Sequence, residues 1–194
     1  MQSASNGEQR DQIAQVIDRL GRMVRSLQFA AGLNPVQWEA LRYLRRANRR
    51  SRKPGALADF LGATKGTVSQ SLKTLENKGL IDRSQDPSDH RAVRLDLTAA
   101  GITALNDDPI NILAEATNEI PGELDSVAAL LDQLLNAVQR SCGRRSFGVC
   151  QKCNRLQLGE GNGADMLFRC GLTGEVLAES DFDRLCADFE HASG

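Results

Sequence analysis

Four thiols near the C-terminal end are the residues of this chain best suited to chemistry. Cys150–Gln151–Lys152–Cys153 is a CxxC pair, Cys170 follows after 16 intervening residues, and Cys186 after 15 more. The first 140 residues hold no cysteine, and a fifth thiol, Cys142, lies just upstream of the pair. A CxxC spacing lets two thiolates converge on one metal from a tight turn, with the remaining ligands drawn from distant segments. Zinc ribbons usually carry two such knuckles. One knuckle plus two single, well-separated thiols fits a four-cysteine iron–sulfur cluster at least as well. The expected ligand set is therefore Cys150, Cys153, Cys170 and Cys186. It would hold an iron–sulfur cluster of the 4Fe–4S kind or, as the alternative, structural zinc. Cys142 reads as a small residue at a helix end and His191 as an exposed terminal histidine.

Other reactive constellations are missing from the sequence. It has no phosphate-cradling glycine loop, no nucleophile with a matched base and no paired carboxylates at a sensible site. A metal saturated by four thiolates has no open position for a substrate. No catalytic residues are expected and the chain does not read as an enzyme.

Charge is divided unevenly. Residues 1–100 carry 17 Lys/Arg against 10 Asp/Glu, a net of +7, and residues 101–194 carry 7 against 15, a net of -8. Such a split suits a nucleic-acid surface on the front part only. Arg42, Arg45, Arg46, Arg49, Arg50, Arg52 and Lys53 crowd into 12 residues. No apolar run approaches the roughly 18 residues of a membrane span, and the polar N-terminus lacks the apolar core of a secretion signal. A cytoplasmic location is expected, where thiols stay reduced.

The elements that must position these groups are mainly helical. Ile13, Val16, Ile17, Leu20, Met23, Val24 and Leu27 form one stripe of a helix over 8–31. Asn34 and Pro35 start a second helix, with Trp38, Leu41 and Leu44 inward, and Pro54 starts a third that Gly62 ends. Thr64 opens a fourth helix to about Asn77, with Val68, Leu72 and Leu75 inward. Residues 80–84 and 92–98 read as a hairpin around the turn residues Asp86–Asp89, with Val93, Leu95 and Leu97 on its inner face. Helical pattern returns beyond Thr98, with Pro109 expected to kink or split it, and again from 123 to 142. In the last 50 residues a final helix, capped by Ser180, is expected to contain Cys186.

Helix, turn, helix and hairpin in this order describe a winged helix-turn-helix. The helix after the turn enters the major groove N-terminus first. Its exposed positions are Thr64, Lys65, Gly66, Thr67, Ser69, Gln70 and Lys73, which are small, polar or cationic. Gln70 can bond adenine with two hydrogen bonds, and the lysines suit guanine or phosphate. Arg91 and Arg94 on the hairpin complete the expected DNA-binding set.

The segment LADFLGATKGTVSQSLKTLENKGLIDRSQDPSDHRAVRLDLTAAG resembles the MarR family of bacterial transcription regulators. The helix TVSQSLKTLENKGLI and the wing DPSDHRAVRLDLT are its most specific parts. The resemblance covers roughly 10–140. It implies a homodimer, clasped through residues 8–31 and about 99–142, on a pseudo-palindromic double-stranded DNA operator. The arginine-rich end of the second helix departs from the pattern, as does His90, where an arginine is common. A second resemblance covers 147–191: the run CQKC, RCGLTGEVL and DRLCADFE is similar to small iron–sulfur modules with a high-potential-iron-protein-like pattern.

The expected fold class is thus mainly α with a small β-hairpin wing, a dimeric winged helix followed by a four-cysteine module. The expected domains are 8–142 and 143–194. The expected function is a regulator whose DNA affinity responds to the cluster, with the thiol module packing on the dimer helix 123–142 and altering the spacing of the two recognition helices. The alternative is a regulator with structural zinc that answers to a small effector.

Overall fold

The computed structural model describes residues 2–29, 32–86, 89–160 and 166–191, with side chains except at 2–5, 86, 89–91, 160 and 166. Seven α-helices and seven strands follow one another among these residues.

Helix α1 (Gln2–Leu27) stands apart, with Ile13, Val16, Ile17, Leu20, Met23 and Leu27 exposed. Helix α2 (Pro35–Arg46) begins in a reciprocal cap: the Asn34 side chain accepts from the Gln37 amide, and the Gln37 side chain accepts from Asn34 N–H. Its Trp38, Leu41 and Leu44 are fully buried. After a single 3-10 turn at Arg49–Ser51, helix α3 (Pro54–Leu61) ends at Gly62, whose φ of 59° lies in the left-handed region. Helix α4 (Lys65–Asn77) is capped by Thr64, which accepts from the Thr67 amide, and buries Val68, Leu72 and Leu75. Strands β1 (Ile81–Asp86) and β2 (Asp89–Leu97) form an antiparallel hairpin, with Ile81 opposite Leu97 and Gln85 opposite Val93. Ile81 and Leu95 close the core from that side.

The hairpin strands run longer than the sequence pattern predicts. Val93 is 41 % exposed instead of inward, because the core reaches only as far as Leu95 and the wing projects beyond it. Pro87 and Ser88, in the expected turn, lie outside the described residues. Pro109 splits the helical stretch after Thr98 as its missing N–H requires: α5 (Ala99–Ala104) stops before it and α6 (Asn111–Ala116) restarts after it. At this break Asp108, buried to 4 % exposure, takes Arg42 in a two-oxygen contact at 2.9 and 3.2 Å, and Arg42 also reaches Gln28 at 3.3 Å. Helix α7 (Leu124–Ser141) carries its apolar stripe fully exposed, from Val127 through Leu131 and Leu135 to Val138.

The C-terminal segment is built of short strands. Strands β3 (Gly148–Val149) and β7 (Leu185–Cys186) pair antiparallel. Strands β4 (Leu156–Glu160), β5 (Met166–Cys170) and β6 (Val176–Leu177) form a separate three-stranded sheet. The expected final helix around Cys186 does not form. Ser180 falls in a 3-10 turn at Glu179–Asp181, and Cys186 lies in β7. Helical capping signals at 180–183 give way here to strand pairing, since Leu185 enters the main core and needs its backbone partners there.

Candidate functional site

Two surfaces carry the residues singled out above. On α4, Thr64, Lys65, Gly66, Thr67, Ser69, Gln70 and Lys73 are all exposed, while Val68, Ser71, Leu72 and Leu75 turn inward. Helical periodicity makes this division: the buried positions fall at i, i+3, i+4 and i+7, which leaves the rest on a polar face. The Thr64 hydroxyl, 2.9 Å from that of Thr67, fixes the start of the helix and leaves the side chains of Lys65 and Gln70 free to project.

Arg94 is placed differently from the free donor the sequence suggests. Its guanidinium grips Asp96 at 2.8 Å, and Arg52 holds the same carboxylate at 2.8 Å. Burial of Asp96 alone would raise its pKa. The hydrogen bonds from Arg94 and Arg52 outweigh it and lower the carboxyl below its ordinary range. Arg94 therefore braces the wing. The backbone of Arg91 lies in β2, and its side chain is outside the described residues.

The second surface is the thiol site. Cys150, Cys153, Cys170 and Cys186 all line one small cavity of about 40 Å³. Each comes from a different local setting. Cys150 opens the 3-10 turn Cys150–Lys152 and Cys153 ends it, with Cys153 N–H bonded to the Cys150 carbonyl at 3.0 Å. Cys170 ends β5, where its N–H reaches the Glu175 carbonyl at 2.9 Å, and Cys186 comes from β7. Burial and the neighbouring Cys186, Cys153 and Cys170 push the Cys150 thiol up to about 11. Burial also raises Cys186, partly offset by hydrogen bonds from the Asp188 backbone and the Asn48 side chain. Two of the four thiols, Cys150 and Cys186, thus resist ionisation, a cost that a cationic centre would relieve. Among the described residues, no three His, Cys, Asp or Glu side chains are gathered tightly enough to hold a single metal ion. Cys142 is exposed at the end of α7 and off the cavity, and His191 pairs by backbone with Cys153 without lining it.

Sequence reasoning missed how this module attaches. It leaves α7 and packs on the winged helix itself. Leu185 is buried in the winged-helix core, and its carbonyl accepts from Asn48 N–H at 2.9 Å. The Ala187 amide donates to the Ser51 hydroxyl at 2.8 Å, and Arg184 donates to the Arg45 carbonyl. Phe147 sets its ring edge-on to Phe60 at 5.2 Å, and Phe60 lies 4.8 Å from Tyr43. The Arg144 guanidinium covers Gly62, in the turn before α4, so closely that a Cβ there would collide with it. Three of the seven cations in the crowded basic segment are engaged by carboxylates: Arg42 on Asp108, Arg50 on Glu175 and Arg52 on Asp96. The sequence signal for this docking was thin. Asn48 and Ser51 flank a one-turn capping pattern, and Leu185 is merely the apolar neighbour of a cysteine.

Comparison with known proteins finds similarity in the front part. A model described as MarR family matches residues 31–92. A probable transcriptional regulator from Pseudomonas aeruginosa is 26% identical, with a TM-score of 0.50 over 64% of this chain and 98% of its own. The regulator BldR from Sulfolobus solfataricus is 22% identical, TM-score 0.52, over 69% of this chain and 94% of its own. A point mutant of MepR from S. aureus is 23% identical, TM-score 0.52, over 67% of this chain and 98% of its own. No curated protein sequence matches the chain. The family match spans residues 31–92, and the three structures share the winged-helix fold of the front of the molecule. Roughly a third of this chain has no counterpart in those three structures. No described helix is long and apolar enough to cross a membrane.

Proposed function

We propose that this chain is a homodimeric, sequence-specific regulator of transcription. Its grip on a pseudo-palindromic double-stranded DNA operator follows the state of an inorganic centre held by Cys150, Cys153, Cys170 and Cys186. The observation that carries the reading is the convergence of those four thiols, scattered over 37 positions, on one cavity that adjoins the DNA reader. The donor set is all sulfur, which suits a four-cysteine iron–sulfur cluster. One zinc ion needs four sulfurs each within about 2.3 Å of a point. A wall of thiols around a cavity suits the larger 4Fe–4S centre better. The centre would supply a one-electron change, or be lost on oxidation. The protein supplies the sulfur ligands, the Asn48 side chain beside Cys186 and the apolar wall of Leu156, Leu172 and Leu177.

Dimerisation is supported by α1 and α7, whose apolar stripes are exposed in the single chain. Leu130 is 65 % exposed, which a water-facing helix does not sustain in so long a row. DNA contact is supported by the polar face of α4 and by the basic front of the chain. The route of signalling differs from the one the sequence suggests. The module rests on residues 45–53, Phe60 and Gly62, so its state bears on the wing and on the turn before α4 more directly than on α7.

The test uses full-length protein purified without oxygen. Its visible absorption is recorded, iron, sulfide and zinc are assayed, and operator affinity is compared with that of Cys153→Ser. Iron and sulfide near four per chain, with an operator affinity that changes in Cys153→Ser, support the proposal. Colourless protein with one zinc per chain defeats the cluster. Equal operator binding by both proteins defeats the sensing.

A further inference from the structure

We propose that Asn48, a residue of the DNA-reading part of the chain, is a positioning residue of the thiol site: its side-chain amide faces Cys186 in the thiol cavity and ties the centre to the wing. The inference rests on the reading that the four thiols hold an inorganic centre.

Asn48 sits where the end of α2 passes into the 3-10 turn Arg49–Ser51, and it lines the thiol cavity beside Cys186. Two separate bonds fix it there. Its backbone N–H donates to the Leu185 carbonyl at 2.9 Å. Its side-chain oxygen accepts from the Ser51 amide at 2.9 Å and caps the turn. Its side chain lines the cavity together with Cys186, and because the oxygen is already engaged by Ser51, the amide N–H is the group left to face sulfur. Cys150, Cys153 and Cys170 draw no hydrogen bond from the winged helix among the described contacts.

The strand geometry makes this contact consequential. In β7 successive side chains face opposite ways, so Leu185 enters the winged-helix core while Cys186 faces the cavity. From Asn48 the chain runs three residues to Ser51, whose hydroxyl accepts from the Ala187 amide and whose carbonyl takes the Tyr43 hydroxyl at 2.6 Å. The next residue, Arg52, holds the wing twice. Its carbonyl accepts from the Leu95 amide at 2.8 Å, and its guanidinium grips Asp96 at 2.8 Å. A change in charge or bond length at Cys186 Sγ thus reaches the wing through five residues of ordered backbone.

An N–H directed at a sulfur ligand stabilises the more negative, reduced state of a cluster and slows loss of the thiolate. Two variants separate this from the turn cap. Asn48→Asp keeps the capping oxygen and removes the donor. Asn48→Ala removes the donor without adding charge. An effect common to both belongs to the lost amide N–H. The readouts are the rate at which a chelator strips metal from full-length protein, which applies to iron and zinc alike, the midpoint potential where the metal is iron, and operator affinity of loaded against stripped protein.

The expected result is metal loss at least threefold faster in both variants, a lower potential, and a loaded-to-stripped affinity ratio reduced severalfold from that of the wild type. Linkage requires the reciprocal effect: if cluster state changes operator affinity tenfold, operator DNA shifts the wild-type potential by about 59 mV for one electron, and the variants lose that shift. Wild-type stripping rate and wild-type affinity ratio in both variants overturn the role of Asn48 alone. Wild-type protein that binds neither iron nor zinc overturns the underlying reading as well.

Discussion

The two parts of this molecule are stabilised by different means. The winged helix has a continuous core in which Trp38, Leu41, Leu44, Leu57, Leu72 and Leu75 are all at or below 1 % exposure. The thiol module has almost no core of its own. Of its described side chains only Cys150, Leu185 and Ala187 are buried, and Leu185 belongs to the winged-helix core. Fifty residues with so little apolar burial cannot offset their conformational entropy unaided. The module therefore depends on whatever its thiols bind and on the surface it leans against. A reader that folds by itself, coupled to an attachment that folds conditionally, is an arrangement in which binding at the attachment changes the surroundings of the reader.

The sharpest way to break this contrast is to remove the centre. Metal-free protein, or Cys150→Ser, is expected to expose residues 143–191 to protease within minutes while residues 32–105 stay protected, because a structural metal site can contribute on the order of 10 kcal/mol. Mass spectrometry of the fragments checks it. Protection of both parts in the metal-free protein would show that the module has a fold of its own. Next in size is Leu185→Ala. Although it lies in the module, it should cost the winged helix about 2–5 kcal/mol in chemical denaturation, like a core leucine of α4 such as Leu72→Ala. A change confined to metal retention would separate the two parts again.

The same contrast explains what the sequence disclosed. The reader announced itself because its elements rest on local rules: Asn34 with Gln37, Pro54, Gly62 and Thr64 mark their own helix ends, and periodicity picked out the buried face of α4. The thiols were legible as a set from their residue type and spacing, and the structure brings all four to one cavity. The module's fold was not. Its strands are two to five residues long, too short for alternation to register, and Cys186 follows a plausible helix cap at Ser180 that tertiary pairing overrides. Its docking was hidden because it uses backbone groups of Arg45, Asn48 and Leu185, which no side-chain pattern reports. The wing arginines show the converse. Arg94 has the type expected of a DNA contact, but only the structure shows Asp96 holding it.

On the reader, a smaller effect divides specificity from affinity. Gln70→Ala should cost about 1–3 kcal/mol on the best operator and relax discrimination at one base pair, whereas Lys73→Ala should weaken all sequences alike and flatten the salt dependence by about one counterion. Competition binding across single-base operator variants at two salt concentrations distinguishes them. Arg94→Ala should act through the wing, lowering stability with Arg52 left to hold Asp96 alone, and should leave base preference unchanged.

The finest test is pH, and its sign separates the two parts. Cys150 in the metal-free fold is pushed up to about 11 by burial and by its neighbouring thiols, above the ordinary value of 9.0 that the unfolded chain retains. A folded-state pKa above the unfolded one means the folded form binds the proton more tightly. That stabilisation is complete below pH 9 and is lost as pH rises through about 11. The fraction of metal-free protein in which the module stays folded should therefore fall between pH 9 and about 11, seen as still faster proteolysis of residues 143–191. The loaded protein should show the opposite trend, since its thiolates have already released their protons and only acid, by reprotonating sulfur, competes with the metal. The winged helix carries Asp96 with the reverse sign. Its carboxyl is held below the ordinary range, so its contribution is present above that range and fades only as pH falls through the depressed value. Alkali should thus loosen the stripped module and leave the reader standing, whereas acid should release the metal before it weakens the wing.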